Sequence, residues 1–259
     1  MTNNIGSNWL LLRGLSREAA HWGDFPMLLQ NGLKAQVHTL DLSGTGCFYQ
    51  HTSPNRIEAI TARLRQQALA DGLLEQPLTL LAYSLGGMVA WEWMKTYPED
   101  INGAVLLNTS FANLSPFYQR LRWQSYCQFF SLILKSNPYQ REAAIIKLVS
   151  NRPDSEGKTT AAWADIQQQR PVSLPNTLHQ IIAAANYRPN AQKPTQPLLL
   201  LNSQQDRLVA SACSTAIQTR WQLELATHPW AGHDLSLDDP LWAVEKVKQW
   251  SARLGVRIP

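Results

Sequence analysis

Residues 77–90 read PLTLLAYSLGGMVA. Pro77 opens a short run, apolar at nearly every position, that ends at Tyr83. A run of that length without alternation fits a strand buried on both faces. Ser84 follows at once, and Leu85-Gly86-Gly87 lead into a helical stretch over residues 88–97 that Pro98 stops. A chain that passes from strand to helix this sharply forces the central residue into a strained backbone conformation with its side chain exposed. The positions two before and two after must be small, because the two backbones pass close together. Ala82 and Gly86 fill them, and Gly87 lets the helix pack closely. Ala82 stands where such turns usually carry Gly, a departure that still fits sterically. A helix N-terminus also favours a developing anion, and the backbone N–H of Leu85 would point at it. An isolated serine here would read as a helix cap. Small-x-Ser-x-Gly-Gly between a buried strand and a helix reads as a nucleophile.

Outward from this segment the chain alternates strand and helix. Residues 8–12 (NWLLL) form a strand that turns out through Arg13-Gly14-Leu15. A helix is expected from about Arg17, with Ser16 as its N-cap. A second strand near residues 35–42 ends in the loop Ser43-Gly44-Thr45-Gly46. A helix over residues 56–70 would bury Ile57, Ile60, Leu64 and Leu69. Another strand covers residues 102–108. The rhythm then changes: residues 111–189 read as helical and aromatic-rich, and breaks at Asn137-Pro138, Arg152-Pro153, Arg170-Pro171 and Leu174-Pro175 divide them into four helices. Sheet rhythm returns at residues 197–202, followed by a helix near 211–220, a strand near 222–226 and a closing helix near 241–254. The expectation is an α/β fold: a mostly parallel central sheet with helices on both faces, formed by residues 1–110 and 195–259, with residues 111–194 inserted as a helical cap.

A serine hydroxyl needs a base beside it. In a sheet of this kind the order is serine, acid, histidine. The histidines after Ser84 are His179, His228 and His233. His179 lies in the inserted helices at amphipathic spacing and reads as a packed or surface residue. His233 follows Ala231-Gly232 in the loop after the last strand, where small residues allow close approach, and is the better base; His228, before Pro229, is the lesser candidate. The acid should leave the preceding strand. Asp206 sits in its exit loop, and would fix the histidine tautomer and stabilise the imidazolium. The plain alternative for Asp206 is a cap for the turn at Arg207-Leu208-Val209. Asp234, Asp238 and Asp239 lie too near His233 or in the cap of the last helix. A second oxyanion donor is expected from the loop after the first strand, at the N–H of Leu15.

Composition narrows the rest. With 44% hydrophobic and 16% charged residues the chain is globular rather than disordered. A net charge of +4 without basic runs marks no nucleic-acid face, though it leaves room for anionic substrates or acidic carrier proteins. Cys47, Cys127 and Cys213 are scattered and odd in number, which argues against disulfides and zinc and suits a reducing compartment. The polar start lacks a signal pattern, and no apolar run reaches the ~18–20 residues of a membrane span. The expectation is a cytoplasmic protein, a monomer or small homo-oligomer, acting on a small molecule without nucleic acid or membrane.

At these residues the chain resembles the α/β-hydrolase superfamily: LLLRGL at 10–15, DLSGTG at 41–46, AYSLGGMVA at 82–90, NSQQDRLV at 202–209 and AGHDL at 231–235. The resemblance implies a helical cap over the site, acyl-enzyme chemistry, and neither metal nor cofactor. Within the superfamily the chain is most similar to small cytoplasmic carboxylesterases, a group that includes the pimeloyl-carrier-protein methyl ester esterase of biotin synthesis. The function expected is cleavage of a carboxylic ester through Ser84, His233 and Asp206, with Leu15 and Leu85 at the oxyanion and against the substrate. The aromatic insertion, Trp123 and Phe130 included, would roof an apolar acyl pocket. Thioester cleavage, acyl transfer and C–C bond hydrolysis could use the same three residues, and a non-catalytic binding protein could keep the fold. One departure stands out. Relatives usually carry His-Gly where this chain has Arg13-Gly14; Arg13 reads as a structural anchor rather than a contact for an anionic substrate.

Overall fold

The structure is a computed structural model that describes residues 7–154 and 156–254. The polar start, residues 1–6, lies outside them. Six strands form one sheet: β1 (Asn8–Leu12), β2 (Gln36–Leu40), β3 (Leu78–Tyr83), β4 (Ile101–Leu107), β5 (Leu198–Ser203) and β6 (Glu224–His228). Their order is β2-β1-β3-β4-β5-β6, with every neighbouring pair parallel. The apolar runs predicted this. Alternate residues point to opposite faces of a strand, and here both faces are covered. Leu10, Leu80, Leu106 and Leu200 pack on one side under α2 (Ile57–Ala70), α3 (Leu85–Thr96) and α9 (Ala212–Trp221). Trp9, Leu81, Val105 and Leu199 pack on the other under α1 (Phe25–Leu33) and α11 (Pro240–Arg253), which the short α10 (Leu235–Asp238) precedes.

The chain runs from β1 outward to β2, then crosses back to β3 on the other side of β1. Such a reversal leaves a crevice at the carboxyl ends of the strands, the usual ligand position in open α/β sheets. Arg13 and Ser84 leave β1 and β3 there. Between β4 and β5 lie the inserted helices: α4 (Phe117–Arg120), α5 (Tyr126–Ser131), α6 (Pro138–Val149), α7 (Lys158–Gln169) and α8 (Leu174–Asn186). The insertion is more broken than the four helices expected, because the first half is divided into short α and 3-10 turns. No helix among the described residues is long and apolar enough to cross a membrane.

Two expectations need correction. Ser16 caps no helix. Its φ is +54°, its N–H donates to Gln180 Oε1 (2.8 Å) and its hydroxyl meets Thr177 Oγ1 (2.9 Å). The chain instead makes a 3-10 turn at Ala19–Trp22 before α1 begins at Phe25. Leu69 is exposed rather than buried; near the end of α2 the stripe Ile57, Ile60, Leu64 continues through Ala68 instead.

Candidate active site

Ser84 stands alone between β3 and α3 with φ +54° and ψ −113°. This is a conformation L-residues avoid, and the surroundings hold it. Ser84 N–H donates to Leu107 O (2.8 Å), and Ser84 O accepts from Gly87 N–H (2.9 Å) and Thr109 Oγ1 (2.8 Å). The small neighbours are needed as the sequence predicts. A Cβ on Gly86 would lie 2.6 Å from Arg13 O and 2.8 Å from Leu12 O, and one on Gly87 would lie 2.8 Å from Thr109 Cβ. Gly14 passes directly over the turn, where an added Cβ would meet Ser84 Cβ at 3.1 Å. That contact brings the Leu15 loop beside the serine. Leu85, in the first turn of α3, has no intrahelical acceptor for its N–H. Leu15, Ser84, Leu85 and His233 all line one cavity.

His233 Nδ1 lies 2.6 Å from Asp206 Oδ2, with both side chains buried. A carboxylate only accepts, so Nδ1 donates in this bond and Nε2 is the nitrogen left free of Asp206. Asp206 makes two sets of contacts: Oδ2 accepts from His233, while Oδ1 accepts from Leu208 N–H (2.7 Å) and Val209 N–H (2.9 Å) and caps the turn. Among the described residues no hydrogen bond joins Ser84 Oγ to His233, though both line the same cavity. His228 is turned away. It is buried, its Nε2 lies 3.1 Å from Asp239 Oδ2, and its Nδ1 accepts from Ala231 N–H (2.9 Å). It shapes the loop that presents His233. His179 Nδ1 bonds Ser53 O (2.8 Å) on α8 and takes no part.

Two residues that sequence reasoning passed over complete the frame. Asn108, at φ +46° after β4, donates to His233 O (2.7 Å) and Ser203 Oγ (3.2 Å) and accepts from Ser203 N–H (2.9 Å). One side chain thus ties the histidine loop to the end of β5. The only signal in sequence was an asparagine, tolerant of left-handed backbone, at a strand end. Asp234 is the other. Arg13 NH2 reaches its Oδ2 at 2.6 Å, fully buried, and the guanidinium lies 4.6 Å from the Trp22 ring centroid and 4.9 Å from that of Tyr83. Burial would push the Asp234 carboxyl up, but Arg13, with hydrogen bonds from Arg13 and Ser236, outweighs it and holds it below the usual range. Arg13 is therefore an anchor, as expected. It joins the loop before Leu15 to the residue after His233, against the ring of the residue before Ser84. Burial, then Asp234, keep the Tyr83 phenol well above its ordinary pKa and so neutral.

The cavity holds about 280 Å³ and is mostly apolar. Phe117, Leu121, Phe129 and Leu132 of the inserted helices form part of its wall. Trp123 and Phe130, expected there, are on the surface instead, 63% and 58% exposed. One position from Phe130, Phe129 turns inward instead. Among the described residues no group of three His, Cys, Asp or Glu is placed to hold a metal.

A model of the Alpha/beta hydrolase family matches residues 9–246, and the chain belongs to that family. No curated protein matches it in sequence. Solved structures with the same fold include an esterase from Rhodococcus sp. ECU1013, 18% identical over 96% of this chain and 92% of that one, with a TM-score of 0.72. A thermophilic esterase from Thermogutta terrifontis is 19% identical over 97% and 91%, with a TM-score of 0.71. A lipase-esterase related protein from Clostridium acetobutylicum ATCC 824 is 14% identical over 96% of each chain, with a TM-score of 0.73. The family match places the chain among the α/β hydrolases, and these neighbours share its fold.

Proposed function

We propose that the protein cleaves a carboxylic ester by a serine acyl-enzyme mechanism. Ser84 Oγ attacks the carbonyl carbon while His233 Nε2 takes its proton. The Leu15 and Leu85 N–H groups hold the oxyanion, acting where charge develops. His233 then protonates the leaving alkoxide, which departs as the alcohol. Water, deprotonated by the same nitrogen, attacks the acyl-enzyme and releases the acid and Ser84. Asp206 holds the tautomer throughout. The observation that carries this reading is the buried 2.6 Å His233–Asp206 bond on a ring that lines the cavity of a serine strained at φ +54°. The apolar wall suits a hydrocarbon acyl chain, free or attached to an acidic carrier.

The test is hydrolysis of p-nitrophenyl esters of graded acyl length by wild type and Ser84→Ala. Turnover that vanishes in the folded variant, with a preference among chain lengths, is expected. Equal rates in both proteins would reject Ser84 as nucleophile; indifference to length would reject the acyl pocket.

A further inference from the structure

Asp206 stands in the loop that leaves β5, and the inserted helices hold most of that loop. At its start Gln204 N–H donates to His228 O (2.8 Å), the end of β6. Beyond that point backbone groups that have left the sheet need new partners, and four carbonyls in a row find them in the insertion. Gln205 O accepts from Asn151 Nδ2 (3.1 Å), Asp206 O from Arg122 Nη1 (2.6 Å), Arg207 O from Ser125 Oγ (2.6 Å) and Leu208 O from Arg122 N–H (2.8 Å). Ala210 N–H then donates to Gln119 O (2.8 Å). Arg207 reaches the other way, to Lys147 O (2.7 Å) and to Asn151 Oδ1 at the end of α6.

Of these donors, Arg122 is the one that grips the acid itself; Asn151 and Ser125 hold its neighbours. The Arg122 side chain takes the carbonyl of Asp206 and its backbone N–H takes that of Leu208. From the other side Asp206 Oδ1 takes the N–H groups of Leu208 and Val209. The turn is thus closed from both sides, and Oδ2 is left to meet His233 Nδ1 at 2.6 Å. A cationic donor makes the shorter and stronger kind of hydrogen bond, so the guanidinium is the firmest of these grips. Leu121, next to Arg122, and Phe129 of α5 line the cavity of Ser84. The stretch that faces the cavity is therefore also the stretch that holds the acid.

We propose that Arg122 is a positioning residue: from the insertion it fixes the backbone of Asp206, and through it the His233–Asp206 pair. The α4–α5 side of the insertion then cannot lift away without releasing the acid. The effect on turnover rests on the hydrolase reading, whereas the effect on the pair does not.

The experiment compares wild type, Arg122→Met and Arg122→Lys in the full chain. Methionine keeps an apolar stem for packing and loses the donor; lysine keeps one cationic donor. Both keep the backbone N–H on Leu208 O, so the grip on Asp206 is what changes. With a soluble short ester, Arg122→Met should lower kcat roughly tenfold or more, because a misplaced acid acts on the chemical step. KM should stay within about twofold, and Arg122→Lys should recover most of the loss. The second readout needs no ester. In a Ser84→Ala background, proton NMR should show His233 Nδ1–H far downfield, assigned by its loss in His233→Gln. That resonance should move upfield or broaden in Arg122→Met and return in Arg122→Lys. Wild-type kcat with an unmoved resonance in Arg122→Met would overturn the proposal. So would a fall in kcat with the resonance unmoved, or lysine no better than methionine, since Arg122 would then be a plain anchor of the insertion. Absence of the resonance from the Ser84→Ala parent would mean that the pair is not formed, and the proposal falls with it. If wild type cleaves no ester, the hydrolase reading fails instead, and the resonance still decides whether Arg122 sets the pair.

Discussion

Ser84 keeps its left-handed backbone at a cost that a side chain sharpens. Glycine adopts such a φ freely, and strained residues of this kind cost about 1–3 kcal/mol. Ser84→Gly should therefore be more stable than Ser84→Ala by about 1 kcal/mol in urea denaturation, with both inactive; the reverse order would mean that the turn is not strained. Asp206→Asn should retain the fold and lose roughly 10⁴-fold in kcat, with KM little changed, because the wrong tautomer is presented. Asp234 makes a different kind of prediction. Its folded pKa lies below the ordinary value of 3.8, so the stability it adds is present above that value and is lost as pH falls through the folded pKa. Asp234→Asn leaves Arg13 buried without its partner, which costs about 3–5 kcal/mol near neutral pH. The gap from wild type should narrow steadily below about pH 4, and a constant gap would sink the assignment. Ser84, His233 and Asp206 could be picked out in the sequence because each is expected at a fixed place relative to a strand end. Asn108 could not, because its partners lie 95 and 125 residues away and nothing local announces them.

At the scale of elements, the site depends on how closely α3 approaches β1. The Cβ that alanine would add at Gly86 falls 2.6 Å from a backbone oxygen of Arg13, and backbone cannot swing aside as a side chain can. Gly86→Ala should cost about 1–3 kcal/mol and lower kcat through displacement of the Leu15 loop. Gly23→Ala is the comparison: nothing lies within 4 Å but φ is +53°, so stability should fall by about 1–3 kcal/mol through backbone strain alone while activity holds. Thermal denaturation with kcat/KM on both variants checks this, and equal activity in the two would count against a close-packed loop. The strands were readable because each is a short apolar run, buried on both faces. The first helix was misplaced for a physical reason. The segment after β1 looks like a capped helix locally, yet Ser16 is drawn to Thr177 and Gln180 of α8. Trp123 and Phe130 failed similarly: on a broken turn, periodicity no longer says which aromatic faces in.

For the whole molecule, the question is what fixes the inserted helices to the sheet. A change of rhythm in the sequence points to them, but nothing local announces their attachment, since at α6 and α7 it rests on pairs formed across more than a hundred residues. Arg17, two residues past Leu15, meets Glu142 of α6 at 2.7 Å and lies 4.8 Å from the Trp163 ring of α7. Glu18 meets Arg170 just beyond α7. One turn of chain after the Leu15 loop thus holds both helices, so the roof of the cavity and the loop beside Ser84 are coupled. Glu142 is almost wholly buried, and breaking such a pair from one side leaves an uncompensated guanidinium. Glu142→Gln should therefore loosen the roof before it unfolds the sheet. Amide exchange should quicken in α6 and α7 while β3 and β4 stay protected, since local opening follows the weakest contacts. Uniform quickening throughout would show that the two layers unfold as one unit. Because the Leu15 loop shares the anchor, kcat for a soluble ester should fall in the same variant. If exchange quickens in α6 and α7 with kcat unchanged, the roof and the Leu15 loop are held independently, and Arg17 serves the roof alone.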